Sequence, residues 1–197
     1  MRFSWWSAAP YVCALANGAA AIALTTVLAP GTTLVADPAA RATYVTAHAT
    51  EWRIGWGLWL VATTTLTWMY FWWAARLPPG RMIRPALALT LVGYASDVAA
   101  QSLMIGWVPT RPDLMPLASA LTGGVTNVLY TLAGIGLSLS TPQLRGTLAA
   151  ATAVMWSAGL GVSVFLLADV PVAIEVSSAV LYVIFVPWCV ALARRLT

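Results

Sequence analysis

The chain has no lysine: its ten basic residues are all arginine, and 197 positions hold one histidine, two cysteines and six acidic residues. Without a lysine amine, neither a retinal nor a pyridoxal Schiff base can form. A single histidine leaves bis-histidine haem, a di-iron desaturase centre and a histidine-rich zinc site without ligands, so no metal site is expected. There is no phosphate-binding P-loop, no Cys-x-x-Cys pair, no Gly-x-Ser-x-Gly elbow and no pair of Asp-rich prenyl-diphosphate motifs. An enzyme built from this inventory would work with carboxylates, phenols and amides alone, as in acid-catalysed isomerisation or cyclisation of a lipophile. The sequence names no cofactor.

What the chain has is apolar surface. Apolar residues make up 60% and charged residues 8%, and the mean hydropathy is +0.82. Six runs are long enough to cross about 30 Å of hydrocarbon at about 1.5 Å per residue: 8–29, 54–75, 85–108, 116–139, 142–167 and 171–193. The fold class is therefore all-α, a polytopic membrane bundle of six transmembrane helices forming a single integral membrane domain over 1–197. Basic loops tend to stay in the cytoplasm. With both termini inside, Arg2, Arg76, Arg81, Arg84, Arg145, Arg194 and Arg195 lie on that side, against Arg41, Arg53 and Arg111 outside. This places a multi-pass protein in the cell inner membrane with both termini cytoplasmic. The net charge of +4 then reflects topology and contact with anionic membrane lipid, and no basic run points to nucleic acid. The first run is too long, and its small-x-small signal too poor, for a cleaved signal peptide. Cys13 and Cys189 fall near cytoplasmic helix ends, where buried packing thiols are expected and a structural disulfide is not.

Local punctuation supports this parsing. Pro85, Pro116, Pro142 and Pro171 stand at proposed helix starts, where a missing N–H is harmless, and Asp113, Thr141 and Asp169 are placed to cap the helices that follow. Pro187 should kink the sixth helix. The long outer connection, 30–53, has room for a surface helix over 39–49. Small pairs four apart, such as Ser157/Gly161 and Gly159/Ser163, favour close helix packing. Of the 11 tryptophans, Trp5, Trp6, Trp52, Trp56, Trp72, Trp73, Trp107 and Trp188 fall near span ends and read as an interfacial belt. Trp59, Trp68 and Trp156 lie deeper, where they pack or line a ligand site.

Asp97 is the strongest functional lead. A carboxylate at the centre of a membrane helix costs about 2.5–3.5 kcal/mol, so such a residue is expected to face a cavity, a partner or a proton path. On a helical projection Thr90, Tyr94, Asp97, Gln101 and Met104 share one face of the third helix. Trp52, Trp56, Trp59, Thr63, Thr67 and Tyr70 share one face of the second. Gly123, Asn127, Tyr130 and Gly134 align on the fourth, and Glu175, Ser178, Tyr182, Phe185 and Cys189 on the sixth. These four stripes should turn toward a common interior, with Asp97, Tyr94, Gln101, Asn127, Tyr130, Glu175 and Tyr182 as its candidate functional groups and helices one and five more peripheral. Interhelical glue is the competing role for Asn17, Asn127 and Gln101. A protonated Asp97 bonded to Tyr94, Gln101, Asn127 or Tyr130 is expected. A second cluster, His48, Glu51 and Arg53, precedes helix two and meets Glu175 at the outer interface, where it would bind a polar headgroup or simply anchor helix ends.

The stretch Glu51-Trp-Arg-Ile-Gly-Trp-Gly-Leu-Trp-Leu, the Arg84-Pro85 turn and Leu91-Val-Gly-Tyr-Ala together resemble a broad class of uncharacterised small bacterial six-helix membrane proteins, and the resemblance brings no functional residues with it. Three roles follow from the residues themselves. The first is a non-catalytic membrane module, either an accessory subunit of a larger membrane assembly with membrane protein partners or a bundle binding a lipophilic ligand or pigment. The second is a small proton-coupled transporter centred on Asp97. The third is an intramembrane acid–base isomerase or cyclase acting on an isoprenoid or lipid.

Overall fold

The computed structural model describes residues 5–32, 35 and 37–196, and among these the chain is helical throughout, with no strand. The first rod runs Trp5–Gly31 and contains α1, Ala9–Ala23, followed by a wider π-helical turn, Leu24–Leu28. A short α2, Pro38–Ala47, crosses the end of the bundle; Asp37 caps it by accepting the Ala39 N–H at 2.9 Å, and Pro38 opens its first turn. The long α3, Ala49–Ala74, and α4, Ile83–Gly106, come next. The fifth element is a composite rod, Pro112–Leu139, in which α5, Met115–Ser119, passes through a π-helical segment, Ala120–Thr126, into α6, Asn127–Leu139. Two further helices, α7, Thr147–Leu167, and α8, Pro171–Leu196, complete the chain.

These six rods form a closed ring in chain order: α1 packs on α3, α3 on α4, α4 on the composite rod, that rod on α7, α7 on α8, and α8 back on α1. Helices one and five are therefore full members of the wall, which corrects their expected peripheral place. Five of the rods are long and apolar enough to cross a membrane: Trp5–Gly31, Ile83–Gly106, Pro112–Leu139, Thr147–Leu167 and Pro171–Leu196. The expected sixth, α3, is long enough at 26 residues but is built from indoles, phenols and hydroxyls where the others have aliphatic side chains. It holds Trp52, Trp56, Trp59, Trp68, Trp72 and Trp73, together with the threonine run Thr63–Thr65 and Thr67.

Burial explains that composition. Trp52, Trp72 and Trp73 are fully buried, and Trp56 and Trp188 nearly so, so the interfacial-belt reading fails for these five, whereas the rings of Trp5 and Trp107 are exposed (71% and 57%). A buried indole needs a partner for its N–H. Trp52 donates to the Met104 carbonyl at 2.8 Å, Trp73 to Thr141 at 2.9 Å, Trp156 to Ser138 at 2.9 Å and Trp188 to Thr152 at 2.8 Å. Three of these bonds tie two helices and the Trp73 bond ties α3 to the connection after α6, each for about 0.5–1.5 kcal/mol net. Tyr70, Trp73, Trp156 and Trp188 meet edge to face and plug one end of the ring. A second buried cluster, Leu28, Val45, Trp52, Trp56 and Met104 among its members, lies at the end covered by α2.

Helix boundaries differ from expectation where backbone geometry decides. The start proposed at Pro142 moves to Thr147, because Gly146 has φ +58° and ψ −134°, a conformation only glycine adopts without strain, so the helix cannot run through it. Thr141 caps nothing ahead of it: its hydroxyl donates back to Leu137 at 2.7 Å and accepts from Trp73. Asp113 pairs with Arg111 instead of capping. Asp169 sits in the turn after α7 at φ +52°. Pro187 is carried inside α8, which continues past it to Leu196. Cys13 and Cys189 are buried and unbridged.

Candidate functional site

The ring holds a cavity of about 570 Å³ that opens to the outside past the exposed Ile22 and Val183 of its lining. Its walls come from the C-terminal parts of the first rod, α4 and α7 and the N-terminal parts of α3, the composite rod and α8, which in an up-and-down ring all lie at one end. Tyr70, Tyr130 and Trp156 form its floor, where the aromatic plug begins. Both π-helical segments border it, through Leu24 and Thr25 and through Thr122, Gly123 and Thr126. Such insertions into α-helices recur at functional sites because they redirect side chains.

Asp97 stands on the wall of this cavity, 2% exposed. Its Oδ1 accepts from the Thr122 hydroxyl at 2.6 Å. Its Oδ2 accepts from the Thr63 hydroxyl and from the Gln101 amide at 2.9 Å. Gln101 also donates to Thr63 at 3.1 Å, which commits the single Thr63 proton to Asp97. Three donors from α3, α4 and the composite rod thus converge on one carboxyl group, while the Gln101 Oε1 beside it is buried without a partner among the described residues.

Of the expected partners, only Gln101 is found. Tyr94 lies beyond the cavity with its hydroxyl 3.4 Å from Thr64. Asn127 borders the cavity but spends its amide on the Gly159 carbonyl at 2.6 Å and Ser163 at 2.9 Å, joining the composite rod to α7. Tyr130 pairs with Thr67 at 3.2 Å. Tyr182 lies edge to face against Trp59, centroids 5.8 Å apart, and Trp59 in turn against Trp56 at 6.0 Å, so an aromatic wall runs from α3 to α8. Glu175 is exposed and lines the cavity near the start of α8.

The proposed outer cluster does not assemble as an ion-pair site. His48 is stacked on Tyr44 with its Nδ1 3.0 Å from the Tyr44 carbonyl. Arg53 donates to the Ile105 carbonyl at 3.1 Å, and Glu51 is exposed. Among the described residues the single ion pair is Arg111–Asp113, at 2.9 Å. Hydrogen bonds from that guanidinium hold the Asp113 carboxyl below its ordinary range.

Two features of the wall escaped sequence reasoning. Thr122 and Thr126 come to the cavity because the π-helical register puts residues five apart on one face, so Thr122 joins Asn127; the adjacent Gly123-Gly124 pair was the visible signal. The Trp56 indole N–H and the Thr126 hydroxyl, both buried and both bordering the cavity, have no hydrogen-bond partner among the described residues. Unmet donors on a cavity wall suit a ligand that brings an acceptor. The only charged side chains in the lining are Asp97 and Glu175. No family model, no curated protein and no solved structure matches the chain.

Proposed function

We propose that the chain is a non-catalytic membrane module: six helices in a bacterial inner membrane, both termini cytoplasmic, with α3 as the polar-faced sixth span and a lipophile held in the chamber inside the ring. The observation that carries this reading is the chamber itself. A volume of about 570 Å³ lined mainly by apolar and aromatic side chains, with few polar groups converging on it, has the size and chemistry of a small-molecule site. Aliphatic side chains such as Leu15, Leu139 and Val172 face outward, 72–75% exposed, where membrane lipid would cover them. Among the alternatives, a small carrier centred on Asp97 draws support from the position of that carboxyl on the chamber wall. The acid–base enzyme reading lacks such support, since the groups bonded to Asp97 are two hydroxyls and an amide.

The test uses the full chain in zwitterionic nanodiscs and the neutral fluorescent lipophile N-phenyl-1-naphthylamine, with empty nanodiscs subtracted. Saturable one-site binding with energy transfer from tryptophan is expected. Ser178→Trp, which fills the chamber from α8, should weaken binding at least tenfold. Binding that never saturates, or that ignores Ser178→Trp, contradicts the reading.

A further inference from the structure

We infer that the ligand of this chamber is a lipophilic organic cation. The inference rests on the lipophile-binding reading and specifies its charge. It starts from the hydrogen bonds at Asp97. Gln101 donates to both Asp97 and Thr63, Thr63 therefore donates to Asp97, and Thr122 donates to the other oxygen. Three donors favour the anionic form of this carboxyl group, burial alone opposes it, and a nearby counter-charge would stabilise the anion. That anion has no counter-charge among the described residues: none of their arginines and histidines lines the chamber, and their single ion pair lies elsewhere. A buried charge is tolerated when it is paired as well as hydrogen-bonded, so the missing partner is a cation supplied from outside.

The rest of the wall selects the kind of cation. Trp56, Trp59 and Tyr182 form a continuous aromatic surface beside Asp97's half of the chamber, and ring faces attract ammonium-type cations, most strongly where water is excluded. A small hydrated inorganic ion would gain nothing from this largely apolar lining, whereas an organic cation buries its apolar body against it. Glu175, exposed at the start of α8, adds a second negative charge along the approach, which raises the local concentration of cations.

The experiment is competition against N-phenyl-1-naphthylamine in nanodiscs with two ions of nearly the same shape, tetraphenylphosphonium and tetraphenylborate. Tetraphenylphosphonium should displace the probe at least tenfold more effectively than tetraphenylborate, a difference of about 1.4 kcal/mol. Asp97→Asn should collapse that preference at least tenfold, and Asp97→Glu should restore most of it. Should Asp97→Asn fail to yield monodisperse protein, the wild-type ion preference and the Asp97→Glu variant decide. Equal displacement by the two ions, or a preference that Asp97→Asn leaves in place, overturns the cationic assignment while the neutral probe still reports a lipophile site. Failure of the neutral probe to bind removes both readings together.

Discussion

Asp97→Asn and Asp97→Leu should separate sharply in stability, because the two substitutions treat the surrounding donors differently. In the native arrangement Oδ2 accepts twice, from Thr63 and Gln101, and Oδ1 once, from Thr122. An asparagine can set its carbonyl where Oδ2 was and its amide where Oδ1 was. The Gln101 and Thr63 bonds then persist, and the Thr122 hydroxyl turns from donor to acceptor, so all three contacts survive. What is lost is the added strength of bonds to a charged acceptor, and relief from burying a charge offsets it; the net change should stay within about 1 kcal/mol. Leucine leaves the Gln101-to-Thr63 bond in place but strands the Thr63 proton, the second use of the Gln101 amide and the Thr122 hydroxyl. Three unmet donors at about 1–3 kcal/mol each give about 3–9 kcal/mol of destabilisation. Reversible unfolding in mixed micelles with increasing dodecyl sulfate, read by helical circular dichroism, measures the difference. Equal destabilisation by the two variants would refute the donor pattern.

Three other outcomes follow from particular residues. On a background of Cys13→Ala and Cys189→Ala, cysteines placed at Gly80 and Gln143 should react with an impermeant maleimide only from the cytoplasmic side; labelling only from outside reverses the topology. A Cβ at Gly159 would stand 2.7 Å from the Thr131 hydroxyl oxygen, so Gly159→Ala should cost about 1–3 kcal/mol and Thr131→Ala should recover much of it, whereas additive losses would contradict the close approach. Asp113 should titrate below ordinary aspartate because Arg111 hydrogen-bonds its charged form. What the pair contributes is thus present at neutral pH and fades as pH falls through that lowered value; carboxyl NMR with and without Arg111→Gln reads the shift.

The long helices were legible because membrane-length apolar runs are separated by proline and arginine, and Asp97 because a lone acid stands out inside such a run; of the six expected spans, five are long and apolar enough to cross a membrane. The partners of Asp97 were not. Thr122 reaches it from a π-helical segment, and a projection at 100° per residue assigns that threonine to a different face from Asn127. The tryptophans were misread for a related reason: nearness to a span end along the chain says nothing about whether a ring points outward. Trp52, Trp73 and Trp188 point inward and find carbonyl or hydroxyl partners on neighbouring helices. Asn127, expected either in the interior or as interhelical glue, bonds across helices, and its partners Gly159 and Ser163 come from the small-residue spacing that marked α7 for close packing. The start of α7 was hidden by Pro142, since the residue that decides it is Gly146, whose positive φ does not announce itself in sequence. Closure of the ring is the remaining unread feature. It needs α1 against α8, a contact between the two ends of the chain that local pattern does not encode.

Anomalous diffraction from crystals grown with 1-bromonaphthalene tests the central claim, that the ring holds a lipophile, most directly. The account predicts a bromine peak inside the ring, within van der Waals reach of Trp59 and Tyr182, that disappears in Ser178→Trp. Bromine peaks confined to the outward-facing surface around Leu15, Leu139 and Val172 would contradict it.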